Sequence, residues 1–213
     1  IIENNEIKSF KPFPKQKPRP CVFEYIYFAR PDSLINGKCA YEYRKNLGIE
    51  LAKETDIDAD LIVPVPDSGV PAALGFAEKA EKKFELGLIR NHYVGRTFIE
   101  PTQNIRSLGV KLKLSSTKTI VKNKSIILID DSLVRGTTCY KIIKMLYESG
   151  AKEVHVRIAC PEIKYPDFYG VDMPTKEELL AHNKSNEEMC KHIGAKSLNF
   201  LSLSGLYRAL IAE

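Results

Sequence analysis

The chain has 213 residues, 44% of them hydrophobic, and a formal net charge of +5. That is enough for one good-sized domain with appendages and a buried core. No apolar run reaches the roughly 20 residues needed to cross a bilayer as a helix, and nothing at the start reads as a signal peptide. Five cysteines (Cys21, Cys39, Cys139, Cys160, Cys190) form no CxxC pair, which points to reduced thiols in a cytoplasmic protein. The mild basicity fits an anionic ligand without singling one out.

In chain order, the first feature is "KPFPKQKPRP" (Lys11–Pro20), a Pro- and Lys-rich stretch that reads as a linker. Because residue 1 is Ile and not Met, residues 1–20 are expected to lead in from an upstream segment. From Leu61 onward, strands and helices alternate. "LIVPV" (Leu61–Val65) is a short apolar strand, with a helix starting near Gly69. "FELGLI" (Phe84–Ile89) is expected as a second strand and "SIILI" (Ser125–Ile129) as a third. A helix then runs from about Thr137 to Ser149, with Gly150 as its stop. "EVHVRIA" (Glu153–Ala159) is the fourth strand. Apolar strands alternating with helices predict an α/β fold, a parallel twisted sheet flanked by helices. The last forty residues read as short helices, with Thr175/Glu178 and Ser185/Glu188 both at capping-box spacing.

The densest chemistry lies at "IILIDDSLVRGTT" (Ile126–Thr138). Parallel α/β sheets bind ligands at the carboxyl ends of their strands. Asp130 and Asp131 stand there side by side, a costly arrangement unless a cation or ligand hydroxyls offset it. The residues that follow offer successive backbone N–H groups, three hydroxyls and a helix N-terminus, which together would cradle a phosphate. Carboxylates for a sugar diol or Mg²⁺ followed by a phosphate nest suit a ribose 5-phosphate. A plain strand-to-helix turn, with Asp and Ser capping the helix, accounts for the composition equally well. "PDSG" (Pro66–Gly69) has two readings of the same kind, a second phosphate loop or an ordinary turn that opens a helix.

The order of the pieces decides between these readings. An aliphatic strand, an acidic pair and a Gly-Thr-Thr loop resemble the signature of type I phosphoribosyltransferases. "CVFEYIYFARPDS" (Cys21–Ser33), "PVPDSGVPAALGFA" (Pro64–Ala77), "LIRNHYVGRTFI" (Leu88–Ile99) and "YGVDMPT" (Tyr169–Thr175) narrow the resemblance to glutamine phosphoribosylpyrophosphate amidotransferase. It covers nearly the whole chain after the linker. It implies a type I phosphoribosyltransferase fold with C-terminal helices over residues 21–213, and a glutaminase domain upstream of the linker. It also implies an enzyme in which ammonia displaces pyrophosphate from phosphoribosyl pyrophosphate to give 5-phosphoribosylamine, the opening step of purine synthesis. A chain without the glutaminase domain would use ammonia only.

Residue by residue, the resemblance places Asp130 and Asp131 at the ribose hydroxyls and at Mg²⁺. It places Ser132, Val134, Arg135, Gly136, Thr137 and Thr138 around the 5-phosphate. Asp67, Ser68 and Gly69 fall on the pyrophosphate loop, with Ser68 a further metal ligand. Arg90–Lys113, rich in cations, is expected to close over a polyanionic substrate. Tyr93, Arg96, Phe98 and Leu179 would line a path for ammonia, which must exclude competing water. Some members hold an iron–sulfur cluster on four cysteines. Only Cys21 matches a ligand position and Asp167 stands at another, so no cluster is expected, since such clusters take four thiolates. The resemblance further implies purine nucleotides as inhibitors and a homo-oligomer. Two other classes remain, a nucleobase phosphoribosyltransferase and a non-catalytic phosphoribosyl pyrophosphate-binding regulator. No helix-turn-helix or basic-cluster pattern suggests nucleic-acid binding.

Overall fold

The computed structural model describes residues 1–17, 19–91, 114–167 and 175–211. A two-strand hairpin, β1 (Ile2–Glu3) and β2 (Glu6–Ile7), turns on Asn4 and Asn5, both at positive φ. After an exposed coil comes a π-helical turn, Glu24–Phe28, and a second small hairpin, β3 (Leu34–Ile35) and β4 (Lys38–Cys39). The main body then alternates α1 (Ala40–Lys53), β5 (Leu61–Pro64), α2 (Val70–Ala80), β6 (Leu88–Arg90), β7 (Leu114–Ser116), α3 (Lys118–Val121), β8 (Ser125–Asp130), α4 (Thr137–Glu148) and β9 (Glu153–Ile158). A 3₁₀ turn (Lys176–Glu178), α5 (Leu180–Asn183), α6 (Asn186–Ile193), β10 (Ser197–Phe200) and α7 (Leu203–Ile211) complete the described chain.

The centre is a four-stranded parallel sheet in the spatial order β10-β9-β8-β5, flanked by helices. In β8, Ile126, Ile127, Leu128 and Ile129 are all fully buried. An uninterrupted aliphatic run is what a strand covered on both faces requires. Pro64 of β5 pairs with Ile129, and Asp130 pairs with Ile158 of β9. The acidic pair therefore begins on the last residue of the central strand, where the apolar interior ends.

Helices α1 and α2 meet almost backbone to backbone. A Cβ on Gly48 would stand 1.8 Å from the carbonyl oxygen of Ala72, and one on Gly75 would stand 2.0 Å from that of Lys45. Helix α7 is tied to α1 by Arg208, which donates to Glu50 and Glu54 at 2.6 Å each.

Three sequence expectations are corrected here. Phe84–Ile89 is not a strand of the parallel sheet. Phe84 makes a single parallel bridge to Ile62, and Leu88–Arg90 pairs antiparallel with Leu114–Ser116. Gly87 marks the break, packed so closely that an added Cβ would lie 2.9 Å from side-chain atoms of Val63 and Val121. The last forty residues are not helical throughout, because β10 extends the sheet beside β9. Its alternation, Leu198 and Phe200 in and Ser197 and Asn199 partly out, is too short to stand out from the helices around it. Thr175 caps nothing with its side chain, whereas Ser185 and Glu188 form the expected reciprocal box. The predicted helix with its Gly150 stop is α4, and Gly150 sits at φ +94.

The α1–α2 contact gives a stability test. Gly48→Ala forces a methyl onto the Ala72 carbonyl and should cost about 2–3 kcal/mol, the upper range of overpacking. The expected result is a lower urea midpoint at unchanged slope. An unchanged midpoint would mean that the helices separate freely.

Candidate functional site

Two loops meet at the carboxyl edge of the sheet. The first leaves β5 and runs Val65–Gly69 into α2. The Gly69 N–H donates to the Val65 carbonyl at 2.9 Å and the Val70 N–H to the Asp67 carbonyl at 3.3 Å, and the Pro66–Asp67 peptide is cis. Position 69 requires glycine for a reason internal to the protein. An added Cβ would lie 2.6 Å from the Ile129 carbonyl oxygen, so a side chain there would push the loop off the end of β8.

The second loop leaves β8 at Asp130 and enters α4. Asp131 is buried, while Asp130 keeps some exposed surface. The Asp131 N–H donates to Asp130 Oδ1 at 2.9 Å, and the Ser132 hydroxyl donates to Asp131 Oδ1. Ser68, from the first loop, lies close enough for its hydroxyl to favour the ionised form of Asp131, so the two loops converge on this carboxylate. Burial, and then the charge of Asp131, push the Asp130 carboxyl well above the ordinary range. Burial also raises Asp131, against the opposing pull of the Ser132 and Ser68 hydroxyls and the Arg44 guanidinium.

A pocket of about 210 Å³ lies against this second loop. It is lined by Asp130, by Ser132–Thr138 and by Cys139. Its floor is the first turn of α4, whose N-cap is Gly136 at φ +78 with no side-chain cap hydrogen bond. This separates the two sequence readings of the segment. If Asp and Ser served as caps, their oxygens would occupy the first-turn N–H groups. Instead Ser132 is committed to Asp131, and the helix start is left open beside a pocket, as anion binding requires.

Sequence reasoning missed three sets of contacts. Arg44 of α1 is buried and spends its donors on the carbonyls of Tyr25 (3.1 Å), Ala29 (2.6 Å) and Glu24 (3.5 Å). Its charge favours the ionised form of Asp131. Arg90 at the end of β6 pairs with Asp67. Arg135, in the phosphate-loop candidate, donates to Glu178 at 3.2 Å. No spacing in the sequence announces such contacts, because each joins residues at least 15 positions apart. Leu179 is fully buried, and the adjacent Leu180 N–H donates to the Val134 carbonyl at 2.9 Å. Tyr93, Arg96 and Phe98, and nearly all of Arg90–Lys113, lie outside the described residues, as does most of the "YGVDMPT" stretch. Cys160 is buried and Cys21 exposed.

Fold and site together define a class: an α/β protein with an open helix N-terminus and paired carboxylates at the carboxyl edge of a parallel sheet. Comparison with known proteins makes the class specific. The family model described as "Phosphoribosyl transferase domain" matches residues 40–169, and the chain belongs to that family. It is 56% identical over 208 residues to a protein from Rhizobium etli named amidophosphoribosyltransferase, covering 97% of this chain and 42% of that protein. A protein of the same name from Methanocaldococcus jannaschii is 51% identical over 210 residues, covering 99% of this chain and 45% of that protein. The solved structure of glutamine phosphoribosylpyrophosphate amidotransferase from B. subtilis, complexed with ADP and GMP, superposes with a TM-score of 0.82 at 50% identity. That match covers 91% of this chain and 42% of the solved one. The chain thus spans less than half the length of these relatives.

The raised carboxyl pKa values carry a testable sign. A carboxyl that titrates higher in the folded state than in the unfolded one stabilises the protein when protonated, and the benefit is lost as pH rises through the folded value. Asp130→Asn should therefore raise the thermal midpoint of the ligand-free protein at pH 8. The gain over wild type should shrink steadily toward about pH 4, near the ordinary Asp value. A midpoint lowered equally at both pH values would make Asp130 a structural carboxylate.

Proposed function

We propose that this chain is the phosphoribosyltransferase part of an amidophosphoribosyltransferase. In this reading, ammonia displaces pyrophosphate from phosphoribosyl pyrophosphate and yields 5-phosphoribosylamine, the first step of purine nucleotide synthesis. The observation that carries the reading is the open N-terminus of α4 at a pocket whose rim holds Asp130. The names of the relatives support it.

Each residue has a chemical task. The N–H groups of the Ser132–Thr138 loop, with the Thr137 and Thr138 hydroxyls, hold the 5-phosphate, and Arg135 adds charge. Asp130 and Asp131 accept hydrogen bonds from the ribose hydroxyls and fix the ring. The loop of Asp67, Ser68 and Gly69 positions the pyrophosphate. Leu179, buried next to the residue that anchors the phosphate loop, walls the approach of ammonia and keeps water from the reactive carbon. Ammonia is already a nucleophile, so the protein needs no activating triad; it must hold the sugar and offset the charge of the departing pyrophosphate.

The donor set fits Mg²⁺. Asp130 and Asp131 stand side by side with Ser68 close to the second, and Mg²⁺ is held by one or two carboxylates together with substrate oxygens and water. Among the described residues there is no cluster of three or more His, Cys, Asp or Glu side chains that would serve as an all-protein cage. Bound there, the ion would neutralise the leaving group. Purine nucleotides are the proposed inhibitors, in keeping with the ADP and GMP of the B. subtilis structure. Homo-oligomeric assembly and a cytoplasmic location belong to the same proposal. Glutamine hydrolysis is assigned to the length of the relatives that this chain does not span.

The test is release of pyrophosphate from phosphoribosyl pyrophosphate with Mg²⁺ and ammonium chloride, with glutamine and nucleobases in parallel arms. Turnover should follow ammonium and not glutamine. Asp130→Asn and Asp131→Asn should each lower it at least about tenfold, or about 1.4 kcal/mol in the barrier. Turnover driven by a nucleobase, or both variants at wild-type rate, would overturn the assignment.

A further inference from the structure

Two half-exposed arginines beside the site are both occupied. Arg135 is paired with Glu178, and Arg90 with Asp67. All four side chains are about half exposed. The second pair is the more informative. Asp67 immediately precedes Ser68, on the loop assigned to the pyrophosphate. A carboxylate there would repel a diphosphate. Its charge is offset by Arg90, which arrives from β6, a strand outside the parallel sheet.

Resting on the proposed function, we infer that Arg90 is a diphosphate-binding residue and that Asp67 is its holder rather than a ligand contact. In the empty site Asp67 fixes the guanidinium at the mouth of the loop. When a diphosphate binds, Arg90 exchanges the carboxylate for phosphate oxygens. The energetics allow the exchange. A half-exposed ion pair is largely screened by solvent, so breaking it costs little. A guanidinium on a phosphate makes charge-assisted, often bidentate bonds that are stronger. Asp67 so placed has two effects. It holds a flexible cation ready, and it weakens binding of stray anions that cannot displace it.

A double-substitution cycle with inorganic pyrophosphate and Mg²⁺, followed by titration calorimetry on this chain, separates the roles. The four proteins are wild type, Asp67→Asn, Arg90→Gln and the double variant, with Arg90→Lys as a charge-keeping control. Arg90→Gln should weaken binding roughly tenfold, as loss of a charge-assisted contact does. Arg90→Lys should recover part of it. Asp67→Asn should tighten binding by about threefold, the equivalent of releasing one exposed pair. In the Arg90→Gln background Asp67 is left unpaired and its charge uncompensated, so Asp67→Asn should tighten binding there as well. The holder role is read from the Arg90 side-chain Nε–H signal by NMR: saturating pyrophosphate should shift it in the wild type as the guanidinium leaves Asp67, and a signal that pyrophosphate leaves unmoved would overturn the inference. Weaker binding in Asp67→Asn would make Asp67 a ligand contact and also overturn it, as would an unchanged Arg90→Gln. If wild type binds neither pyrophosphate nor phosphoribosyl pyrophosphate, the proposed function falls and the inference with it. If wild type binds and only the cycle fails, the function stands alone.

Discussion

The buried carboxylate of Asp131 constrains everything around it. It stands one residue beyond a strand whose four aliphatic side chains have no exposed surface, and beside a second carboxylate. A buried charge has to be paired, hydrogen-bonded or neutralised. The protein gives Asp131 a hydrogen bond from the Ser132 hydroxyl, and it places the Ser68 hydroxyl and a buried cation, Arg44, within electrostatic reach. Arg44 makes its hydrogen bonds to three backbone carbonyls of residues 24–29. It therefore supplies field while its donors are engaged elsewhere, which leaves the acidic pair available to a ligand. The same three bonds pin the Glu24–Phe28 turn to α1, so the local electrostatics and the packing of the N-terminal segment depend on one side chain.

The helix starts show the same division between stability and use. Helix α6 begins on Ser185, which accepts from the Glu188 N–H at 3.3 Å while Glu188 accepts from the Ser185 N–H at 2.8 Å. Such a cap is worth about 1 kcal/mol. Helix α4 forgoes it. Gly136 contributes no side chain, and a Cβ there would lie 2.8 Å from Leu180 Cδ2 in addition to suffering the positive φ. The capped helix lies in the C-terminal region, and the uncapped one opens onto the pocket. The stability lost at α4 leaves its first-turn donors open to an anion.

How much of this the sequence discloses depends on whether the determining interaction is local. β8 and its acidic pair are legible because a strand buried on both faces must be aliphatic throughout and must stop where charge begins. α4 is legible through its Gly150 stop. α1 is not: its buried set includes Arg44 and Glu50, so polar and apolar positions do not separate cleanly around the helix. β6 reads as part of the parallel sheet because its composition is right, yet Gly87 turns it away into an antiparallel pair. The site shows the same pattern. Asp130, Asp131, the Ser132–Thr138 loop and the Pro66–Gly69 turn form contiguous motifs and were readable. Arg44, Arg90 and Glu178 enter the site only through tertiary contact. The packing demand for glycine at position 69 is hidden for the same reason: it comes from the Ile129 carbonyl, a contact across the sheet edge.

The C-terminal segment completes the site from outside the sheet. Leu180 holds the Val134 carbonyl through its N–H and covers Gly136 with its side chain. Glu178 takes the Arg135 guanidinium. Asn183 then fixes the segment itself, donating to the carbonyls of Lys176, Glu177 and Leu179 at 3.2, 2.8 and 3.0 Å. Three successive loop residues, Val134, Arg135 and Gly136, are therefore contacted by residues more than forty positions later. A phosphate loop built on an uncapped helix has little of its own to define its shape, and here the definition comes from this distant strap. Leu179 is buried between the two residues that make those contacts, so its position follows that of the loop. A displacement of the loop would be transmitted directly to the side chain proposed to wall the ammonia path. The proposed phosphate site and the proposed wall of the nucleophile's path thus rest on one set of contacts.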